Sequence, residues 1–216
     1  MVIAAFNEGK VIRGVVGEVA TAGYPVVVVD DGSTDDTASA ARMAGVTVLR
    51  HVINRGQGAA LQTGIDFALK RGARQIVTFD ADGQHAVEDL PELLAALHNA
   101  DIALGSRFLG KDVVGASKGR KAMLRTATVV SNRLSGLRLT DAHCGLRAFR
   151  ATAAPKLRIA QDRMAHASEL LRKIKKSGLR VVEVPVTVKY TDHSKAKGQG
   201  GFQALRILFD YFFRHS

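Results

Sequence analysis

The first half of the chain alternates between short apolar runs and longer segments in which apolar residues return every three or four positions. We expect the short runs to form buried strands, because β-branched runs bounded by turn residues are typical of them. The expected strands are 2–5, 25–29, 46–49, 76–79 and 102–104. The helical segments between them are 10–22, one that ends near 44, one that opens at 54–58, and 90–97. This alternation predicts an α/β fold with a mostly parallel sheet and helices on both faces.

The second half of the chain is organised differently. A basic stretch at 118–121 leads a helix to about residue 133, and another helix is expected over about 165–176. The run 181–188 predicts a strand, and the polar loop 191–201 precedes a last helix. Because no repeat and no low-complexity linker interrupts the chain, we expect a single domain over 1–216.

The last helix carries a broad aromatic face. Its apolar residues are Phe202, Leu205, Phe209, Phe212 and Phe213, with Arg206 and Arg214 nearby. Two interpretations remain open for this face. It packs on the core, as most amphipathic helices do, or it lies on a membrane surface, as aromatic helices with basic flanks do.

Composition limits where the protein works. Hydrophobic residues make up 46% of the chain and charged residues 24%, which is ordinary for a globular protein. The single cysteine, Cys144, allows no internal disulfide and fits a reducing compartment. No apolar stretch approaches the roughly 18 residues that span a bilayer, and the first residues do not resemble a signal peptide. We therefore expect a cytoplasmic protein that is not integral to the membrane.

The charge of the chain points to an anionic partner. Lysine and arginine number 31 and aspartate and glutamate 20, which gives a formal net charge of +11. Nucleic acid, a phosphorylated substrate and the anionic cytoplasmic leaflet would all suit this charge. Most of the basic excess lies beyond residue 105, whereas the acidic clusters lie before residue 90. We therefore expect a metal-binding half over 1–110 and an anion-binding half over 111–216.

An acidic run follows the expected strand 76–79. Asp80, Asp82 and Gln84 fall just past its end, at the sheet edge where open α/β sheets bind ligands. Carboxylate and amide oxygens suit a hard cation such as Mg²⁺ or Mn²⁺, which leaves positions open for substrate phosphates. The alternative is an Asp-rich turn that caps the next helix. A second acidic pair, Asp30 and Asp31, follows strand 25–29 at the same edge and suits a nucleobase N–H or a ribose hydroxyl, although Asp-Gly is also a common turn pair.

Several common sites are poorly supported. The glycines after position 56 do not form a dinucleotide fingerprint, because position 61 is leucine, and no P-loop motif is present. The seven histidines show no spacing typical of a zinc site. Cys144 has only the adjacent His143 as a base, so a small buried thiol is a better interpretation than a nucleophile.

The second half supplies cations that could converge on a phosphate. Arg107 follows strand 102–104, Arg120 and Arg125 lie on the basic helix, and Lys195 and Lys197 lie in the polar loop. Arginine is suited to phosphate because its guanidinium binds two oxygens at once. For Arg120 and Arg125 a solvated helix face is an equally good interpretation.

Taken together, these motifs resemble family 2 glycosyltransferases with the GT-A fold, and more narrowly dolichyl- or polyprenyl-phosphate mannose synthase-like enzymes. The matching segments span most of the chain: 6–8, 29–33, 54–58, 80–84, 105–108, 141–149 and 183–185. Each is weak alone, but their order and spacing are specific for the superfamily. Two positions depart from the family pattern. Ala4 stands where the family usually has proline, and Thr191 stands where it has an arginine six residues before the loop lysine.

The resemblance implies roles for individual positions. The donor nucleotide would be held by Ala4, Phe6, Glu8, Val29, Asp31 and Lys197. Asp80, Ala81 and Asp82 would meet its ribose and diphosphate. Asp82 and Gln84, with Asp80 beside them, would hold Mg²⁺ or Mn²⁺. The acceptor would face Arg107, Arg120, Arg125 and Asp141.

The implied activity is that of a hexosyltransferase of the dolichyl-phosphate mannosyltransferase kind. It would move a sugar, with inversion, from a nucleotide-sugar donor to a polyprenyl phosphate, with Asp80, Asp82 and Arg107 as catalytic residues. An ionised phosphate needs no general base, whereas a saccharide hydroxyl would need one, and Asp141 would then be the candidate. A third interpretation is a non-catalytic module that binds nucleotide-sugar or nucleic acid, although we expect no specific nucleic-acid partner. The expected location is cytoplasmic, with peripheral contact to the inner face of the cell membrane.

Overall fold

A seven-stranded mixed sheet forms the centre of the protein. The computed structural model describes residues 1–110, 113–161 and 166–190. The strands are β1 (Val2–Ala5), β2 (Val26–Asp30), β3 (Val46–Arg50), β4 (Gln75–Asp80), β5 (Ile102–Ser106), β6 (Val113–Val114), β7 (Arg147–Arg150), β8 (Val181–Pro185) and β9 (Val188–Lys189). The helices are α1 (Gly9–Thr21), α2 (Thr37–Ala40), α3 (Gln57–Lys70), α4 (Leu90–Ala96), α5 (Lys118–Ser135), α6 (Ala154–Leu157) and α7 (His166–Ser177), with a 3₁₀ turn at Val87–Asp89.

The strands of the large sheet follow the order β3-β2-β1-β4-β7-β5-β8. β1 to β4 run parallel to one another, and β5 runs parallel to β8. All five residues of β2 are buried, as expected for a parallel strand with helices on both faces. The small strands β6 and β9 pair separately from this sheet. The predicted α/β architecture with a mostly parallel sheet is confirmed.

One strand of the sheet runs against its neighbours, and the sequence pattern does not predict it. β7 lies between β4 and β5 and is antiparallel to both, with Thr78 opposite Arg147. The strand has only two apolar residues between two arginines, which is too short a run to indicate a buried strand. Because β7 is antiparallel, its first residue lies at the edge where β1 and β4 end. Arg147 is therefore placed beside the acidic edge.

Helices cover both faces of the sheet. On one face α1 and α4 contribute Ile12, Val16, Val19, Leu90 and Leu93 to the core. On the other face α3, α6 and α7 contribute Leu61, Ile65, Leu157 and Ile174. Each such side chain contributes about 1.5–3 kcal/mol when it is fully buried. α3 lies especially close to β1, because a Cβ on Gly64 would overlap the side chain of Val2.

Most elements differ from their predicted bounds by one or two residues, and three differences matter more. The helix expected to end near 44 is the single turn α2, because Arg42 N donates to Ser39 O three residues back and closes a tighter turn. The strand expected over 181–188 is divided into β8 and β9, with Pro185 at the end of β8. Asp80 is the last residue of β4 and does not follow the strand.

Within the described residues, no helix is both long enough and apolar enough to cross a membrane. Several predicted features lie outside the described residues. These are Thr191, Lys195, Lys197 and the aromatic last helix.

Candidate active site

A cavity of about 480 Å³ opens at the sheet edge where β1, β2 and β4 end. The predicted donor residues Ala4, Phe6, Glu8 and Asp31 line it. The predicted metal-edge residues Asp80, Ala81, Asp82 and Gln84 also line it, as do the predicted cations Arg107 and Arg120. Positions that are spread from residue 4 to residue 120 of the sequence therefore meet in one cavity.

Asp82 and Gln84 form a tight turn directly after β4. Gln84 N donates to Asp82 Oδ1 at 3.1 Å, and the side-chain Nε2 of Gln84 donates to Asp82 Oδ2 at 2.5 Å. Gly83 between them has φ 73°, a conformation that glycine adopts without steric cost. Burial raises the pKa of Asp82, and the nearby carboxylate of Asp80 raises it further. The carboxylates of Asp80, at the end of β4, and Asp82, in the turn, thus repel each other, and a cation would relieve this repulsion.

Asp80 is oriented by two residues that the sequence interpretation leaves unassigned. His85 Nε2 lies 2.8 Å from Asp80 Oδ2 and must carry the proton of this bond, because a carboxylate only accepts. Gly145 lies directly against the same carboxylate, since a Cβ there would overlap it. Burial raises the pKa of Asp80, but the His85 hydrogen bond and the charges of Arg147 and Arg107 outweigh it and hold that pKa below its usual value.

The oxygen donors at this edge fit a divalent cation. Nowhere in the described part of the chain do three His, Cys, Asp or Glu side chains come together as a complete metal site. Mg²⁺ does not require such a site, because it is usually bound by one or two carboxylates together with substrate phosphates and water. The Asp82 carboxylate and the Gln84 amide supply hard oxygen donors once the amide turns its oxygen toward the cavity. The donor set therefore matches the cation chemistry that the sequence predicts.

The carboxylate of Asp31 holds the loop that leads into α3. Asp31 Oδ1 accepts from His51 Nδ1 at 2.7 Å and from Arg55 N at 3.0 Å, and Oδ2 accepts from Gly56 N at 2.6 Å. Asp31 is 2% exposed, so these bonds are shielded from water. Gln57, the next residue, lines the cavity. Asp31 thus shapes the cavity wall through the loop in addition to lining it.

The turn after β1 is tied to the loop after β2. Asn7 has φ 53°, and its Oδ1 accepts from Thr34 N at 2.9 Å while its own N–H donates to Ser33 Oγ at 2.9 Å. Glu8 N donates to Thr37 Oγ1 at 2.8 Å. These bonds hold the turn that carries Phe6, whose ring is 42% exposed on the cavity wall.

Arg107 is the centre of a buried polar cluster. Its Nε donates to Asp141 Oδ2 at 2.5 Å and its Nη1 donates to the Tyr190 hydroxyl at 2.9 Å. Burial lowers the pKa of Arg107, but the negative charge of Asp141 more than compensates and keeps the guanidinium charged. Arg120 stacks over the Tyr190 ring, with its guanidinium carbon 4.5 Å from the ring centroid.

Three predicted site residues are not part of the cavity wall. The Val29 side chain is fully buried in the core, beside Ala60. Arg125 lies over the Phe108 ring, 5.2 Å from its centroid. Asp141 is 2% exposed and accepts from Arg107 and from His143 N at 3.0 Å. A ligand contact by Val29 would therefore involve its backbone.

Two lining residues, His85 and Arg147, are missed by sequence interpretation. Both lie inside segments that carry predicted site residues, since His85 ends the acidic run 79–85 and Arg147 belongs to 141–149. Their position within these two segments is therefore the sequence signal that could identify His85 and Arg147 as site residues. Arg147 in particular requires knowledge of β7, because its place at the edge depends on the antiparallel direction of that strand.

Comparisons with known proteins give consistent matches. The family model described as glycosyl transferase family 2 matches residues 1–158. A UDP-N-acetylglucosamine–dolichyl-phosphate N-acetylglucosaminyltransferase of Methanococcus voltae is 31% identical, over 97% of this chain and 92% of the relative. The polyprenol monophosphomannose synthase of Mycolicibacterium smegmatis is 33% identical, over 93% of this chain and 80% of the relative.

Solved structures match the fold. Glucosyl-3-phosphoglycerate synthase from Mycobacterium tuberculosis, solved with Mn²⁺, UDP and glucosyl-3-phosphoglycerate, aligns with a TM-score of 0.70 at 18% identity. The alignment covers 97% of this chain and 77% of that chain. At this identity the likeness concerns the arrangement of strands and helices.

Proposed function

Because the chain belongs to glycosyl transferase family 2, we propose that it moves a sugar from a nucleotide-sugar donor to a polyprenyl phosphate, with inversion at the anomeric carbon. The chain is a glycosyltransferase, and its fold is the GT-A-type α/β fold. One observation supports the finer proposal most strongly: a single cavity holds Asp80 and Asp82 together with the buried arginines Arg107 and Arg147. Such a cavity suits two phosphate-bearing substrates, one held through a cation and one held directly. Two relatives named for dolichyl phosphate and polyprenol monophosphomannose support the acceptor.

We assign the donor nucleotide to the end of the cavity formed by β1 and β2. The exposed ring of Phe6 offers a surface on which a base can stack. Glu8 and Asp31 line the same end and supply carboxylate oxygens for N–H and hydroxyl groups. The loop held by Asp31 also lines the cavity through Gln57. This assignment places the donor diphosphate beside the end of β4.

Asp82 and Gln84, with Asp80 beside them, would hold a divalent cation there. When bound, such a cation neutralises negative charge on a diphosphate leaving group. The solved structure with Mn²⁺ and UDP supports this proposal by its fold. His85 and Gly145 fix the position of Asp80, so the carboxylates are set before the substrates arrive, which lowers the cost of organising them.

We assign the acceptor phosphate to the end of the cavity where Arg107 and Arg120 lie. A phosphate monoester is already ionised near neutral pH, so attack on the anomeric carbon needs no base. A saccharide hydroxyl would need one, and Asp141 is bonded to Arg107 and absent from the cavity wall. This geometry favours the phosphate acceptor over the saccharide acceptor.

The proposal also concerns how the chain is divided and where it works. We assign donor and metal binding to 1–110 and acceptor binding to 111–216 within a single domain, with Arg107 of the first part also facing the acceptor. A polyprenyl phosphate resides in a membrane, and the net charge of +11 favours contact with an anionic leaflet. We therefore propose peripheral contact with the cytoplasmic face of the membrane.

The test is a transfer assay with purified protein, a panel of labelled nucleotide-sugars, Mg²⁺ or Mn²⁺, and farnesyl phosphate as a short acceptor. We expect labelled glycolipid that disappears with EDTA and in Asp82→Asn. Asp36→Asn is the matched control, because Asp36 is an exposed carboxylate that caps nothing with its side chain. Transfer by Asp82→Asn at the rate of the unmodified protein would overturn the assignment of the cation.

Parallel reactions separate the alternatives. Transfer to free saccharides but not to farnesyl phosphate would establish the hydroxyl-acceptor enzyme instead. Binding of nucleotide-sugar without transfer to any acceptor would establish a binding module. Affinity for nucleic acid that falls steeply with salt, again without transfer, would point to the third interpretation.

A further inference from the structure

Arg147 is a buried cation that has no hydrogen-bond or ion-pair partner within the described residues, although the charges of Asp80 and Asp141 act on it from a distance. It is 8% exposed, lies at the start of β7, and lines the cavity. Among the residues that the structure describes, none forms a hydrogen bond or an ion pair with its guanidinium. Its guanidinium nitrogens are not among the fully enclosed polar atoms without a partner, which agrees with a side chain on the cavity wall. A charge removed from water in this way is costly unless an opposite charge joins it.

Two other arginines nearby, Arg107 and Arg150, make hydrogen bonds that Arg147 lacks. Arg120 also lines the cavity, but its guanidinium stacks over the Tyr190 ring, and its Nε has no hydrogen bond among the described residues. Arg107 is bound by Asp141 and by the Tyr190 hydroxyl. Arg150, on the same strand as Arg147, donates to backbone carbonyls at the end of α4, including that of Ala100 at 3.1 Å. Among Arg107, Arg147 and Arg150, only Arg147 has its binding capacity unused in the described structure. Burial accordingly lowers its pKa from the usual arginine value.

The position of Arg147 separates it from the donor nucleotide. β4 lies between β7 and the strands β1 and β2 that form the proposed nucleotide end. Neighbouring strands are about 4.8 Å apart, so β7 is about 10 Å from β1 on the far side of the acidic edge. Arg147 is opposite Thr78, and Asp80 lies two residues farther along β4 on the same face. An anion on Arg147 would thus lie across the acidic edge from the nucleotide.

The cavity that Arg147 lines also has hydroxyl and apolar side chains on its wall. Ser131 and Leu134 of α5 and Leu171 of α7 line it. Ile174 of α7 and Phe149 of β7 belong to the same core cluster. This lining suits a ligand with a compact anion and an apolar continuation.

We propose that Arg147 is the anchor for the phosphate of the acceptor, a phosphomonoester with an apolar substituent. The assignment rests on the proposed function and adds a residue to it. Arg107 already shares its charge with Asp141, whereas Arg147 can offer two parallel N–H donors to two phosphate oxygens. The negative charge of the phosphate offsets the cost of desolvating Arg147. With two phosphate oxygens held by the guanidinium, the third phosphate oxygen faces the donor sugar.

The test measures binding and stability without requiring turnover. Isothermal titration would use farnesyl phosphate, inorganic phosphate and UDP or GDP with the full chain and with Arg147→Met, Arg147→Lys and Arg133→Gln. Arg133 is an exposed arginine of α5 that does not line the cavity, and its replacement removes one positive charge from the surface. We expect Arg147→Met to weaken farnesyl phosphate and inorganic phosphate binding about 10- to 100-fold, as for the loss of a charged hydrogen bond. Arg147→Lys should retain part of the affinity, and Arg133→Gln nearly all of it.

Two further readouts separate an anchor from a structural residue. Nucleoside diphosphate affinity should stay within about twofold in Arg147→Met. The melting temperature of the ligand-free protein should not fall, because the substitution removes a desolvated charge and breaks no hydrogen bond among the described residues. Unchanged phosphate binding, an equal loss of nucleoside diphosphate binding, or a lower melting temperature in both Arg147 variants would overturn the proposal. If phosphate binding depends on Arg147 but no donor sugar is ever transferred, the anchor stands and the proposed function fails.

Discussion

Replacing Asp31 by asparagine tests whether this carboxylate shapes the cavity or only contacts the donor. Asp31 accepts three hydrogen bonds, from His51 Nδ1, Arg55 N and Gly56 N, at 2.6 to 3.0 Å. Asparagine has the same shape but only one oxygen, so at least one N–H of the loop would face an amide NH₂ group. The loop would lose its charged acceptor and gain a contact between two donors.

The magnitude follows from burial of these groups. A hydrogen bond to a charged group contributes about 1.5–3 kcal/mol, and a buried donor without a partner costs about 1–3 kcal/mol. We therefore expect Asp31→Asn to lower the free energy of unfolding by about 2–4 kcal/mol. With a urea m value of about 3 kcal/mol per molar, the unfolding midpoint would fall by about 1 M.

The assay is urea unfolding of the ligand-free protein, followed by titration with nucleoside diphosphate. Asp36→Asn is the control, since it removes an exposed carboxylate from the next turn of the chain. We expect the midpoint to fall only in Asp31→Asn, and nucleotide affinity to fall with it because Gly56 and Gln57 line the cavity. An unchanged midpoint with weaker nucleotide binding would refute the shaping role and leave only direct contact.

Other predictions concern the acidic edge, the buried thiol and acid stability. Gly145→Ala should lower kcat/KM about 100-fold, because its Cβ would displace the Asp80 carboxylate and small misplacements are costly in catalysis. Burial raises the pKa of Cys144 to about 12, so a thiol reagent at pH 8 should modify it only after unfolding. Burial raises the pKa of Glu169, but hydrogen bonds from Lys173 and from backbone N–H groups lower it more, below the ordinary 4.5. Its contribution to stability is thus complete above pH 4.5 and declines below it, so Glu169→Gln should flatten the fall in unfolding midpoint toward lower pH.

Matched variants and contrary outcomes sharpen these three tests. Gly14→Ala serves as control for Gly145→Ala, because a Cβ at Gly14 meets nothing within 4 Å. Full activity of Gly145→Ala would show that Asp80 need not be held in place. Rapid labelling of native Cys144 would contradict its burial. Glu88 is exposed, so Glu88→Gln is the control for Glu169→Gln. If the unfolding midpoints of both variants fall equally with decreasing pH, Glu169 contributes no more to acid stability than an exposed carboxylate.

The acidic edge could be predicted from the sequence because its signals are local. Asp80 ends a recognisable strand and Asp82 and Gln84 follow it, and parallel strands bring their ends to one edge without further information. The same reasoning placed Asp31 beside them. The bonding partners of Asp31 could not be predicted, because His51 and Gly56 belong to a loop whose path depends on tertiary contacts.

The second half was harder to predict for a physical reason. β7 is short, has arginines at both ends, and pairs with strands far away in sequence, so its pattern carries no periodic signal. Without β7, nothing in the sequence indicates that Arg147 reaches the edge. Asp141, the candidate base for a saccharide acceptor, is buried against Arg107, and the sequence alone does not indicate this pairing. Which charged residues of this half pair with one another, and which face the cavity, depends on the tertiary fold.

The account depends most on a cation held beside the end of β4 by Asp82 and Gln84. A crystal soaked with Mn²⁺ and a nucleoside diphosphate would test this directly through the anomalous signal of manganese. We predict one peak within coordination distance of Asp82 Oδ and Gln84 Oε1, in contact with the diphosphate. A diphosphate bound in the cavity with no manganese at this position, or manganese bound elsewhere, would contradict the account.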